Sequence, residues 1–192
     1  MKKRKKLPRI SINSPAVLGF VLICVIAFVL NLLTFGKSNV ILFSVYRSSW
    51  ANPLTYLRCI THVFGHAGWS HLVGNMMYIL LLGPMLEEKY GSKNMISVFL
   101  LTAAVTGLCS ILLFHRVMLL GASGVVFAMI LLSSITATEE HTIPLTFILV
   151  ALLYIGQQLY EGIFVSDNVS QITHIIGGAV GSVFGFRMKR KR

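Results

Sequence analysis

The sequence predicts an all-α polytopic membrane protein, a bundle of six transmembrane helices with both termini in the cytoplasm. Three observations carry that expectation. Of 192 residues, 55% are hydrophobic and only 12% charged, where a soluble domain carries about 25%. So apolar a chain cannot stay solvated as a disordered one, and its natural solvent is lipid. Second, the apolar residues fall into six runs separated by polar turns. Third, the net charge of +11 lies at the two ends, in Lys2, Lys3, Arg4, Lys5, Lys6 and Arg9 and in Arg187, Lys189, Arg190, Lys191 and Arg192. Basic ends mark the cytoplasmic side, so two of them require an even number of crossings.

The elements follow in order. Residues 1–15 form a basic cytoplasmic tail. The first span, Ala16–Leu33, follows basic residues as a signal peptide would. It lacks a small-residue cleavage site and further spans follow, so it is expected to stay as an anchor. A long loop, Thr34–Ser70, lies outside. The second span, about His71–Leu86, is semi-polar at its start, and Pro84 is expected to bend its inner half. Glu87-Glu88-Lys89 makes an inner turn. The third span is Asn94–Phe114 and the fourth about Val117–Ala137, followed by an inner turn at Glu139-Glu140-His141. The fifth, Ile143–Tyr160, tolerates Pro144 in its first turn. After an outer loop at Glu161–Val169, the sixth runs from about Ser170 to Phe186. Residues 16–186 are thus one six-helix domain, and 187–192 a second basic cytoplasmic tail.

Charge placement also excludes function classes. The tails are not interleaved with aromatic residues that could stack on bases, so no nucleic-acid partner is expected. They suit anionic lipid headgroups of a bilayer instead. Cys24, Cys59 and Cys109 show no disulfide framework and no zinc spacing. No metal or other cofactor is expected, although His62 and His66 admit a weak metal-pair reading beside that of an interfacial belt with Trp69 and His71.

Against this apolar background a few polar groups stand out. On the charge-derived topology Ser123 lies about 21 Å above the inner end of its span, and His174 and Asn75 about 18 Å above theirs, at 1.5 Å per residue. All three therefore sit roughly 10 Å below the outer surface of a core about 30 Å thick. Ionisable groups inside a membrane default to function. A serine hydroxyl needs a base to become a nucleophile, and His174 is the only histidine in the last three spans. No Asp or Glu lies within a span, which favours a Ser–His dyad over a triad. His71 and Asn75, four residues apart, share a helix face. With the Ser123 amide at a helix start they offer donors for an oxyanion. Gly121 and Gly124 leave room at a tight turn. The repeat of Gly177, Gly181 and Gly185, with His174 three residues before it, lets another helix approach closely.

Taken together, these residues resemble the rhomboid family of intramembrane serine proteases. Arg58-x-x-x-His62-x-x-x-His66-x-x-x-x-His71-x-x-x-Asn75 is similar to the family's outer loop and second helix. Glu87-x-x-x-Gly91 resembles its acidic turn. Gly121-Ala122-Ser123-Gly124-Val125-Val126-Phe127-Ala128 resembles its nucleophile segment, and His174-x-x-Gly177-x-x-x-Gly181 its base helix. The resemblance implies Ser123 as nucleophile and His174 as general base, with His71, Asn75 and the Ser123 amide as oxyanion donors. It makes His66 and Glu87 structural supports. It further implies cleavage of single-span membrane proteins near the outer face of the cell membrane, without cofactor. Substrates would enter laterally past the fifth helix around Tyr154–Tyr160. Phe127 stands where many members carry a Tyr packed on the base, and a Trp-Arg pair common in the first outer loop is absent, with Arg47 and Trp50 nearby. Two alternatives accompany this reading. One is a non-catalytic binder of membrane clients, disfavoured because both Ser123 and His174 are present. The other is a transporter, disfavoured because the polar groups share one depth and no internal repeat is seen.

Overall fold

In the computed structural model, residues 12–115, 117–136, 143, 145–164 and 168–188 are described. The basic runs at 1–11 and 189–192, the expected inner turn with Glu139, Glu140 and His141, and Pro144 lie outside the described residues. The helices are α1 (Pro15–Leu33), α2 (Lys37–Ile41), α3 (Pro53–Thr61) with a 3-10 turn at His62–Phe64, α4 (Trp69–Tyr90), α5 (Ser92–Leu113), α6 (Ser123–Thr136), α7 (Leu145–Phe164) and α8 (Asn168–Arg187). No strand occurs among the described residues, and an isolated antiparallel bridge joins Val45 to Leu119.

Several boundaries differ from the hydropathy reading. α2 and α3 lie within the stretch expected as a long loop, Thr34–Ser70. Helix covers residues 161–164 and 168–169 of the outer loop expected at Glu161–Val169, whose residues 165–167 lie outside the described residues. α4 continues through Glu87-Glu88-Lys89 and stops only at Gly91, whose φ of 82° suits glycine. Pro84 sits inside this helix without ending it. In the fourth apolar run, helix begins at Ser123, not at 117. Residues 118–120 are apolar enough to count toward a span, yet Leu119 exchanges both backbone bonds with Val45, at 2.8 and 2.9 Å. Gly121, at φ 125°, then turns the chain into α6.

The core gathers Val17 and Phe20 of α1, Ile79 and Leu86 of α4, Met95 and Val98 of α5, and Val125, Met129 and Leu132 of α6. Close approach is arranged by glycine. A Cβ on Gly83 would lie 2.6 Å from Val17 Cγ2, so α1 rests directly on α4. Among the described residues, α1 and α5 are long and apolar enough to cross a membrane by length and composition. Large apolar side chains also cover the outside, including Leu22 and Ile26 of α1, Leu81 of α4, Leu112 of α5 and Leu153 of α7.

A charged group locks the far end of the bundle. Pro15 opens α1 and has no N–H, which leaves the amides of Ala16 and Val17 among the unpaired donors of that helix start. Both are taken by the Glu87 carboxylate at 2.9 Å, one on each oxygen, and Ser92 Oγ donates to the same group at 2.6 Å. Negative charge at a helix start is favourable. Glu87, only 3% exposed, thereby ties α1, α4 and α5 together.

Candidate functional site

At the opposite end, a strap of residues 42–46 crosses between the helices. Thr61 Oγ1 donates to the Leu42 carbonyl. Gly65 lies so close to Phe43 that a side chain there would strike its backbone. Arg58 donates to the Tyr46 hydroxyl and, at 2.9 Å, to Ser48 Oγ, with its guanidinium 4.2 Å from the Tyr46 ring centre. The Val45–Leu119 bridge then joins this strap to the segment leading into α6. Two residues on, the Gly121 amide donates to the His62 carbonyl at 2.9 Å. The turn before Ser123 is therefore held from two sides by backbone bonds.

Ser123 opens α6 and His174 lies in the second turn of α8. Their approach follows from the glycines between them. A Cβ on Gly177 would fall 2.5 Å from the Gly124 carbonyl oxygen, and one on Gly181 would strike the Ala128 backbone. The two helices thus touch backbone to backbone at positions four residues apart on each. Residue 174, one turn earlier on the same face, comes level with residue 123. His174 Nε2 lies 2.7 Å from Ser123 Oγ, a hydrogen-bond distance. The Phe127 ring packs on the imidazole with centroids 4.7 Å apart. Both His174 and Ser123 are half-buried.

His71 and Asn75 approach from the first turns of α4. A Cβ on Gly121 would sit 2.7 Å from His71 Cε1 and Nε2 and 3.9 Å from Asn75 Nδ2, so both side chains border the turn that carries Ser123. Asn75 Nδ2 donates to His66 Nε2 at 3.1 Å, and the His66 and His71 rings meet edge to face at 5.0 Å. The structure thus gathers Ser123, His174, His71, Asn75, Gly121, Gly124, Phe127, Gly177, Gly181 and His66 in one region. Glu87 is at the other end of α4, with its own partners. The side chains of Tyr154 and Tyr160 lie outside the described residues.

Burial sets the state of the loop histidines. It drives His62 down to about 4, against the raising pull of the Arg58 and Cys59 backbone. It does the same to His66, also to about 4, with the nearby His71 adding to the effect. Both rings are neutral at pH 7. Their nitrogens are engaged within the protein, His62 Nδ1 with the Arg58 carbonyl at 3.2 Å and Nε2 with Thr106 Oγ1 at 3.3 Å. Among the described residues no three His, Cys, Asp or Glu side chains gather as a metal ion would need.

Several residues that build this region escaped the sequence reading. Val45 and Leu119 act through backbone bonds, which leave no signature in side-chain type. Asn39 donates to the His66 carbonyl at 3.0 Å from a distance of 27 residues, and nothing in a polar loop singles it out. Arg58, only 3% exposed, stood in the motif with no role attached to it.

Chemically, a hydroxyl beside an imidazole, with amide and imidazole donors within reach, is the equipment for nucleophilic acyl transfer. Comparison with known proteins points the same way. A family model described as "Rhomboid domain" matches residues 53–191. The chain is 29% identical over 138 residues to Rhomboid-related protein 1 of Caenorhabditis elegans, covering 67% of this chain and 39% of that protein. It is 30% identical over 155 residues to Rhomboid-related protein 2 of Mus musculus, covering 70% and 51%. It is 25% identical over 176 residues to Rhomboid protease GlpG of Yersinia pseudotuberculosis, covering 90% and 62%. The chain spans less than two thirds of the length of each of these relatives.

Proposed function

The chain belongs to the rhomboid family, and from that premise we propose that it is an intramembrane serine endopeptidase working through a Ser123–His174 dyad. The observation that carries the reading is the 2.7 Å separation of His174 Nε2 and Ser123 Oγ at the start of α6. Rhomboid-family members are multi-pass membrane proteins. Here the spans are assigned to α1 and α4 to α8, in one domain of residues 16–186. Both basic tails lie in the cytoplasm and the dyad faces the outer half of the cell membrane. Apolar residues on the outside of α1, α4, α5 and α7 support lipid as their surroundings.

In the proposed reaction Ser123 Oγ bonds to the scissile carbonyl carbon while its proton passes to His174 Nε2. The carbonyl oxygen becomes an oxyanion, received by His71, Asn75 and the Ser123 amide at the positive end of α6. The C–N bond then breaks, and His174 returns the proton to the departing amine. Water, deprotonated by His174, cleaves the acyl-enzyme and restores Ser123. The packing of Phe127 on His174 supports the ring's orientation, a task an aspartate performs in triads. The substrates are single-span membrane proteins.

Expression with a labelled single-span substrate tests this directly. Ser123→Ala and His174→Ala should each abolish cleavage, and a fluorophosphonate should label the parent chain at Ser123 alone. Undiminished cleavage by either variant would sink the dyad.

A further inference from the structure

We infer that His66 is a positioning residue for the oxyanion site, one that aims the Asn75 carboxamide. The inference rests on the peptidase reading above and adds a participant to its site. The argument begins with hydrogen-bond polarity. His66 Nδ1 lies 3.1 Å from the Phe64 carbonyl oxygen, which can only accept, so Nδ1 carries the proton. A neutral imidazole then has a bare Nε2. That nitrogen is 3.1 Å from Asn75 Nδ2, which can only donate. One tautomer satisfies both bonds, and burial keeps the ring neutral at pH 7.

The consequence falls on Asn75. The torsion that turns a carboxamide about its last bond is broad and weakly held, so an isolated Asn side chain points poorly. Spending one N–H on a fixed acceptor sets the plane of the group and the direction of the other N–H. Asn75 Nδ2 also lies 3.9 Å from the Cβ position of Gly121, beside the turn that carries Ser123. His66 itself is well anchored. It is fully buried, its carbonyl oxygen accepts from Asn39 Nδ2 at 3.0 Å, and its ring meets His71 edge to face. It therefore touches both side chains assigned to the oxyanion.

The test is a double-mutant cycle on the full chain with the labelled substrate. His66→Leu should lower kcat by about 10- to 100-fold, the scale of a misdirected oxyanion donor, with KM nearly unchanged. In an Asn75→Ala background the same change should cost nothing further. His66→Gln, whose carboxamide oxygen can accept from Asn75, should recover part of the rate. Wild-type kcat in His66→Leu, or losses that multiply in the double variant, would overturn the inference. Should His66→Leu fail to fold, nitrogen-15 NMR of the parent chain decides the matter. A bare Nε2 on His66 supports the pairing, and a protonated one refutes it. Loss of the peptidase reading would show separately, as turnover that survives Ser123→Ala.

Discussion

Gly121 is the residue on which the geometry of the candidate site is most sharply balanced. Its φ of 125° is a conformation that side chains resist, and an added Cβ would lie 2.7 Å from the His71 ring. Gly121→Ala should therefore cost about 1–3 kcal/mol in stability through backbone strain. It should slow fluorophosphonate labelling of Ser123 by roughly 100-fold, because displacement of about 1 Å is enough to do so. Labelling at the parent rate would show that the turn has slack. Residues of this kind were partly legible in the sequence. Ser123 and His174 stood out because each is a polar group near one end of an otherwise apolar run. Charge at the termini, not hydropathy, gave them a common depth. The partners that hold them were not legible. A carbonyl such as that of His62, or an amide such as that of Leu119, belongs to every residue alike.

At the scale of elements, the contact of α6 with α8 decides whether the site exists. Gly181→Val would drive a branched side chain into the Ala128 backbone, which cannot yield as a flexible side chain would. The expected result is separation of the helices and loss of cleavage and of Ser123 labelling together, although residue 181 lies two turns from His174. Gly19→Ala on α1 is the control. Nothing lies within 4 Å of its Cβ position, and a helical Gly→Ala change gains up to about 1 kcal/mol. A Gly181→Val protein with parent activity would mean that another contact aligns the dyad. The glycine spacing that announces this interface was visible from the sequence, since close helix packing in lipid needs small residues at intervals of four. The state of residues 117–120 was not. Their side chains are as apolar as those of a helix, and only the glycine turn and the pairing with Val45 make them extended.

For the whole molecule, acid is the informative stress. His62 and His66 titrate near 4 when folded, against an ordinary value of 6.5. Between those values the unfolded chain binds protons that the folded chain refuses, so stability falls as pH drops from about 6.5 to about 4. Below 4 these two groups add no further loss. Thermal unfolding in detergent should show a midpoint that declines across that window. His62→Gln combined with His66→Gln should flatten the decline, and an unchanged slope in that variant would move the cause elsewhere. The Glu87 carboxylate bears on how such a molecule is made. The amides it caps precede it by 71 and 70 residues, so α1 leaves the ribosome well before its own cap has been translated. Until residue 87 arrives, the start of α1 keeps two bare donors and the helix waits undocked in the translocation machinery or the adjoining lipid. Biogenesis therefore has a checkpoint written into the chain: nascent chains too short to bring that residue out of the ribosome present a first helix that is unseated, and only longer ones can tie α1 to α4 and α5.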